Sequence, residues 1–391
     1  SLFEKKGSNA WFEMEAEDML PEGFTCPHCG KSAGFEQESD TLDGWFDSGS
    51  THYASMQKDQ GFWPATVYLE GLDQYRGWFQ SSLLTAVGAL GKGAPFKECV
   101  THGWTVDGEG KAMHKSLGNG VDPQDIIKQY GADIIRLWVA ASDYTVDVHT
   151  SNAIFKQLSE SYRKIRNTVR ILLANLNDFD PKRDMVPVDQ LADLDKWALS
   201  RLNNLVRDAR ASYDRYQFHI VYHDIHNFCS IDLSKLYIDI TKDRLYCEAK
   251  DSVSRRAAQT VMYLLADDLI RVIAPILAFT SEEAWGYLPH TDTDNVESVF
   301  LNDLPSFRDE YSFKAIEDKY EAMFAYRDDV MKALELARAD KKIGKSLDAH
   351  VVIYGAAEDE DWTDPKVWKK ANPSLGITVG IDKVKAACES A

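Results

Sequence analysis

The chain has 391 residues, 44% hydrophobic and 27% charged, with 12 prolines and 23 glycines. This length predicts two or three domains rather than one core, and the composition excludes long disorder. The net charge of -18 excludes a generic polyanion binder, but it is uneven: -11 over residues 1–152, +2 over 153–271 and -9 over 272–391, so a nucleic acid is best tolerated at the central segment.

No run of 18 apolar residues occurs, so no membrane span is expected. The start lacks the pattern of a secretory signal, and six cysteines do not make a disulfide framework in a chain of this size. A reducing, cytoplasmic setting fits. The opening Ser1-Leu2-Phe3-Glu4 lacks an initiator Met, which suggests a fragment or a processed chain.

In chain order, residues 1–60 read as irregular and rich in Gly, acidic and aromatic residues. Val67-Tyr68-Leu69 reads as a short buried strand, residues 75–90 have helical spacing, and Phe96 to His102 reads as a second strand. Strand, helix, strand and a loop beyond the strand end describe half of an open parallel sheet, whose ligands bind outside the carboxyl ends of the strands. Short helices follow near 123–129 and 133–141. Asp122, Pro123 and Asp125 mark the first of these starts as cap, first-turn proline and capping-box acid. From Asn152 the pattern turns helical, near 152–176, 190–213, 217–243, 251–273 and 276–287, which predicts a bundle. Its core should hold Leu172, Leu173, Leu176, Leu199, Leu202 and Leu205. Residues 291–310 read as a connector. The remainder predicts a long helix near 313–340, strands at 349–354 and 376–379, and helices near 364–370 and 382–389.

The chemistry-bearing residues fall in five places. Lys111-Ala112-Met113-His114-Lys115-Ser116-Leu117-Gly118-Asn119 puts lysines and a serine in a glycine-flanked loop before a well-marked helix. A flexible ammonium there suits a phosphate whose position changes during reaction; the spacing of a Walker loop is absent. Glu70, Asp73 and Gln74 stand at a strand end, where a carboxylate and an amide can take ribose hydroxyls or a substrate ammonium, and His102 follows the next strand. Trp45, in the turn-prone Asp43 to Ser50 segment, and Trp78 can wall a small apolar pocket or simply pack the core. Arg163, Arg166, Asn167 and Arg170 share one helix side by three- and four-residue spacing, as a stripe for backbone phosphates or as a solvated charged face. Cys26-Pro27-His28-Cys29-Gly30 has the spacing of a zinc knuckle. A closed site needs four ligands, and no second C-x-x-C exists, so zinc at Cys26 and Cys29 would be structural, with a pair of free thiols as the alternative.

Nearly the whole chain resembles the carboxyl-terminal part of the bacterial-type isoleucyl-tRNA synthetase family of class I. The resemblance rests on Gly7 to Phe12, Asp43 to His52, Tyr68-Leu69-Glu70-Gly71-Leu72-Asp73-Gln74-Tyr75-Arg76-Gly77-Trp78-Phe79, Thr101-His102-Gly103, the lysine loop, Gly131 to Trp138, Tyr162 to Asn177 and Ala339 to Leu347. It implies an α/β and α fold: the second half of a class I Rossmann domain at 1–151, a helical anticodon-binding domain at 152–290, a connector at 291–312 and a small α/β domain at 313–391. The lysine loop occupies the place of the family's KMSKS loop, with Ala112 for its first lysine and His114 for its middle serine. Lys115 matches the second lysine and would neutralise the pyrophosphate leaving group, with Lys111, Ser116 and His114 beside it. Glu70, Gly71, Asp73, Gln74, His102 and Met113 would hold ATP and the adenylate, Trp45 and Trp78 the isoleucine side chain, and Arg163, Arg166, Asn167 and Arg170 the tRNA.

The implied activity is isoleucine activation with ATP and Mg2+ and transfer to tRNA(Ile), by a cytoplasmic monomer. The family's HIGH motif and editing domain have no counterpart in the chain, so the 391 residues alone are expected to be inactive. The competing readings are a non-catalytic tRNA-binding or regulatory protein, which Ala112 and His114 favour, and a related valyl-, leucyl- or methionyl-tRNA synthetase.

Overall fold

Two segments rich in β-branched and aromatic residues pair in parallel, β1 (Ala65–Gly71) beside β2 (Phe96–His102), with Glu70 opposite Thr101 and Gly71 opposite His102. Parallel pairing requires a crossover. It is made by a 3-10 turn at Leu72–Arg76, a helix at Trp78–Leu84 and a π-helical turn at Thr85–Ala89, so the single helix expected over 75–90 is three segments. The Thr85 hydroxyl lies within hydrogen-bonding distance of the carbonyls of Ser81, Ser82 and Gly49, where the helix changes its winding.

The computed structural model describes residues 2–114, 118–353 and 377–380, and the polypeptide divides into two compact units, residues 1–103 and 104–391. In the first unit the segment expected to be irregular contains ordered helical turns. The main one is α1 (Gly44–Gly49), continued by a π-helical stretch at His52–Asp59. The Asp43 carboxylate accepts the Trp45 N–H at 2.8 Å, satisfying an otherwise orphaned donor. The helix of the crossover is α2 (Trp78–Leu84), and a small core of Ala65, Tyr68 and Phe79 sits between it and the strands.

The second unit opens with a strand pair that the sequence did not suggest. β3 (Thr105–Val106) runs parallel to β4 (Val148–His149), and two residues per strand leave no readable alternation. Between them lie α3 (Pro123–Tyr130), capped by Asp122 with Pro123 in its first turn as expected, and α4 (Ala132–Ala141). The bundle comprises α5 (Asn152–Ala174), α6 (Asp193–Asp214), α7 (Phe218–Asn227), α8 (Ile238–Cys247), α9 (Val253–Ile273) and α10 (Ala278–Trp285). The helix expected over 217–243 is α7 and α8 joined through a π-helical segment at Phe228–Tyr237.

The bundle core is continuous from Leu137 to Tyr311. The expected leucines are in it: Leu172, Leu199 and Leu202 are fully buried, Leu176 and Leu205 nearly so, and Leu173 packs at its edge. Truncating any of the fully buried three to Ala would cost about 2–5 kcal/mol. One buried carboxylate, Asp195, is satisfied by a bidentate pair from Arg244 at 2.8 and 3.0 Å and by the Tyr237 hydroxyl at 2.8 Å. Without those partners, burying the charge would be prohibitive.

The connector carries 3-10 turns at Val299–Leu301 and Asp309–Tyr311 and leads into α11 (Lys314–Ala339). α11 packs on α6: Trp197 meets the Phe324 ring edge-on at 5.1 Å, and Glu317 accepts from Ser200 and Asn204. β5 (His350–Ile353) and β6 (Ile377–Gly380) pair antiparallel. The helices expected near 364–370 and 382–389 lie outside the described residues. Among those residues, no helix is long and apolar enough to cross a membrane.

Candidate functional site

The first unit gathers its candidate residues at the carboxyl ends of β1 and β2, because the strand register sets Gly71 opposite His102. Gly71 makes this convergence feasible. A Cβ there would lie 2.6 Å from Asp73 Oδ1 and 3.5 Å from His102 Cε1, so any side chain would push the carboxylate away. The His102 ring is oriented by donation from Nδ1 to the Gly103 carbonyl at 2.8 Å. Gln74 ties the cluster together: its amide nitrogen donates to Asp73 Oδ2 at 3.1 Å and its carbonyl accepts the Trp78 N–H at 3.0 Å. Glu70 is exposed at the end of β1. Asp73, Gln74 and His102 thus gather around Gly71, and Glu70 precedes that glycine on β1.

Trp45 and Trp78 adjoin this cluster in different ways. Trp78 is held: it stacks on buried Tyr68 at 4.2 Å and 15°, and its Nε1 donates to the Ser48 carbonyl at 2.9 Å. Trp45 is 46% exposed, and its indole edge lies against Gly77, where a Cβ would come within 3.2 Å of Cη2 and Cζ2. A second close approach, Gly49 on Ser81, locks α1 to α2. Behind it fully buried His52 bonds Thr85 through Nε2 at 3.0 Å. Burial holds the His52 pKa below the ordinary histidine range. Gly77, Gly49, His52 and Thr85 were not singled out in the sequence, since a glycine's value here lies in a contact made 30 residues away.

Cys26 and Cys29 sit on one turn, in which Gly30 N–H bonds the Cys26 carbonyl at 2.9 Å and Gly30 adopts φ +73°. The backbone N–H groups of Cys29 and then His28 point at the Cys26 sulfur and lower its pKa. This geometry suits two ligands of a tetrahedral zinc site. Among the described residues, no group of three or more His, Cys, Asp or Glu is gathered to hold a metal.

In the second unit the lysine loop is closed at its base by Asp107 and Asn119. Asp107 Oδ1 accepts the N–H groups of Glu109 (3.0 Å) and Lys111 (2.9 Å), and Oδ2 accepts the Asn119 amide at 2.8 Å. Asn119 also donates to the Ala112 carbonyl and accepts the His114 N–H at 2.9 Å. These bonds, led by that from Asn119, depress the Asp107 pKa. Lys111 pairs with Glu109 at 2.8 Å, both exposed. Met113 is half-buried beside His114. Lys115 and Ser116 lie outside the described residues. Asp107 and Asn119 were missed in the sequence, although Asp107 followed by Gly110 has the pattern of a tight turn.

Arg163, Arg166, Asn167 and Arg170 all lie on the solvent face of α5. Arg163 pairs with Glu160 at 2.6 Å and Arg166 reaches Glu283 at 4.0 Å, whereas Arg170 has no carboxylate partner among the described residues.

A family profile described as tRNA synthetases class I (I, L, M and V) matches residues 1–151, and one described as the anticodon-binding domain of tRNA ligase matches residues 195–353. The chain is 55% identical over 358 residues to the Isoleucine--tRNA ligase of Caldanaerobacter subterraneus, covering 91% of this chain and 38% of that protein. It is 53% identical over 362 residues to that of Thermoanaerobacter pseudethanolicus, covering 92% and 38%. The chain therefore spans about two fifths of the length of these curated relatives. Among solved structures, the LeuRS of Agrobacterium radiobacter, in a ternary complex with tRNA and LeuAMS, shares the fold with a TM-score of 0.56 and 19% identity, over 74% of this chain and 36% of that one. Residues 1–151 therefore carry a domain of the class I tRNA synthetases, and residues 195–353 the anticodon-binding domain of a tRNA ligase.

Proposed function

We propose that the chain serves an isoleucine--tRNA ligase, which joins isoleucine to ATP as the adenylate and then passes it to tRNA(Ile). In the first step the isoleucine carboxylate attacks the α-phosphorus and pyrophosphate leaves; in the second a hydroxyl of the terminal adenosine attacks the acyl carbon and AMP leaves. The observation that carries this reading is the convergence of Asp73, Gln74 and His102 around Gly71 at two parallel strand ends, with Trp45 and Trp78 adjoining. Strand ends of this kind are where open α/β sheets bind nucleotides.

In this reading Glu70, Asp73 and Gln74 hold the ribose and the substrate ammonium, His102 lies beside the nucleotide, and Trp45 and Trp78 wall the aliphatic side chain. Lys115 neutralises charge on the departing pyrophosphate, with Lys111, Met113, His114 and Ser116 in the same loop. Mg2+ enters with ATP as part of the substrate. The stripe Arg163, Arg166, Asn167 and Arg170 takes tRNA phosphates, and Cys26 and Cys29 supply two ligands of a structural zinc. The domain limits 1–151, 152–290, 291–312 and 313–391, a monomeric state and a cytoplasmic location belong to the same proposal.

The test is isoleucine-dependent exchange of pyrophosphate into ATP by the protein that carries this chain. Lys115→Ala should slow exchange about 100-fold while isoleucine affinity stays within twofold; equal exchange rates refute the assignment. A non-catalytic tRNA-binding protein is the competing reading, favoured by Ala112 and His114 in place of the family's lysine and serine. It predicts tRNA binding with no exchange at all.

A further inference from the structure

Tyr68 is buried on β1 and lies along α2 over one helical turn. Its ring stacks on the Trp78 indole at 4.2 Å and 15°, and Phe96 packs on the same ring at 4.9 Å. Burial raises the Tyr68 pKa and the Ser82 side chain opposes that rise, which places the two hydroxyls face to face. Ser82 stands four residues beyond Trp78, on the same side of α2.

Two hydrogen bonds and the stack hold Trp78. Its backbone N–H donates to Gln74 Oε1 and its Nε1 donates to the Ser48 carbonyl. Those two bonds fix the base of the side chain and one edge of the indole, but they leave the ring plane free to tilt about the line joining them. The stack on Tyr68 opposes that tilt, so the depth of the indole follows the position of the tyrosine ring.

Apolar packing alone does not account for the polar end of this arrangement. The hydroxyls of Tyr68 and Ser82 are buried, and among the described residues neither has a hydrogen-bond partner of good geometry. A buried hydroxyl in this state costs stability that phenylalanine and alanine at the same positions would not. Departures of this kind concentrate where a side chain has to be held in one place for function. The surroundings do not yield to relieve it. Gly49 abuts Ser81, the Thr85 hydroxyl sits among the carbonyls of Gly49, Ser81 and Ser82, and fully buried His52 bonds Thr85 at 3.0 Å. Ser82 is therefore a fixed stop, and the phenol oxygen is the spacer set against it.

We propose that Tyr68 and Ser82 are positioning residues of the isoleucine pocket, and that the phenol oxygen against the serine sets the depth at which the Trp78 indole meets the aliphatic side chain. The inference rests on the proposed function and extends it to residues that do not touch substrate. Removing either oxygen lets the tyrosine ring settle towards Ser82, and Trp78 shifts with it. The loss falls on the terminal carbon of isoleucine, which valine lacks, so the two oxygens bear on selectivity.

The test is isoleucine- and valine-dependent exchange of pyrophosphate into ATP by the protein that carries this chain, with thermal unfolding of the same variants. Tyr68→Phe should raise the KM for isoleucine about fivefold, with the KM for valine and both kcat values kept within about twofold. Its Tm should stay at or above the wild-type value, because an unpartnered buried hydroxyl is gone. Ser82→Ala should act alike, and the double variant should exceed either single one by less than about twofold, since the two oxygens form one contact. An isoleucine KM unchanged in Tyr68→Phe, or one that rises equally with that for valine, overturns the inference. So does a lowered Tm with both KM values unchanged, which is the mark of packing alone. Effects that multiply in the double variant overturn the pairing of the two oxygens. A wild-type protein without isoleucine-dependent exchange overturns the proposed function and this inference together. Normal wild-type exchange that neither variant alters overturns the inference alone.

Discussion

The indole of Trp45 lies against the α-carbon of Gly77, so close that a single added methyl would come within 3.2 Å of two ring carbons. The same methyl would stand 2.6 Å from Gln74 Oε1, the atom that accepts the Trp78 N–H. One glycine therefore sets the spacing of both tryptophans and the orientation of the amide that reaches Asp73.

Gly77→Ala should displace Trp45 and break the Gln74 to Trp78 hydrogen bond. Overpacking of this kind costs about 1–3 kcal/mol of stability. Under the proposed function, the KM for isoleucine of the protein that carries this chain should rise about tenfold, within the range that one methylene commands in an apolar pocket. Isoleucine titration together with thermal unfolding checks this, and an unchanged KM with a lowered Tm would remove Gly77 from the pocket.

The clasp at the base of the lysine loop should be visible in amide exchange. Asp107→Ala removes the acceptor for Glu109 and Lys111, so both amides should exchange about tenfold faster. Asn119→Ala should speed His114, whose N–H it accepts. Because the folded Asp107 pKa is depressed, its contribution is complete above the unfolded carboxylate range near pH 4. It is lost as pH falls through the lower folded value.

Asp178 provides a pH-dependent stability test away from any proposed chemistry. Arg255 grips it bidentately at 2.8 and 3.1 Å and Gln259 donates at 2.8 Å, which lowers its pKa to about 2, chiefly through the Arg255 bonds. A depressed carboxylate stabilises above its unfolded pKa and ceases to do so as pH falls through the folded one. Asp178→Asn should therefore cost about 1 kcal/mol at pH 7 after solvent screening, and the difference from wild type should vanish between about pH 4 and 2. Urea unfolding at several pH values measures this; a pH-independent difference would refute it.

Alkylation should rank the cysteines. The Cys26 thiol is lowered by the N–H groups of Cys29 and His28, whereas burial raises Cys99 and, far more, the fully buried Cys229. With iodoacetamide at pH 7 and no added metal, mass spectrometry should find Cys26 modified before Cys99, and Cys229 only on unfolding. Added zinc that protects Cys26 and Cys29 together would show that the turn presents both thiolates to one ion.

Much of the architecture was legible in the sequence, because it is written in short-range patterns. The 3.6-residue spacing of leucines located the bundle helices and their buried face, and Asp122-Pro123 marked where α3 begins. The two β-rich runs around a helical crossover predicted the parallel pair, and Glu70, Asp73, Gln74 and His102 were found at its carboxyl ends. The arginine stripe of α5 was readable for the same reason, since helical geometry alone places those four residues on one side.

What depended on tertiary structure were contacts between residues far apart in the chain. Nothing local in Gly77 announces Trp45, nothing in Asp107 announces Asn119, and the two-residue strands β3 and β4 are too short for a pattern. The π-helical turns at 85–89 and 228–237 break helices that periodicity reads as continuous. Local sequence determines which elements form and which face each buries. Packing decides which residues from distant parts of the chain meet, as Gly77 meets Trp45 and Asp107 meets Asn119.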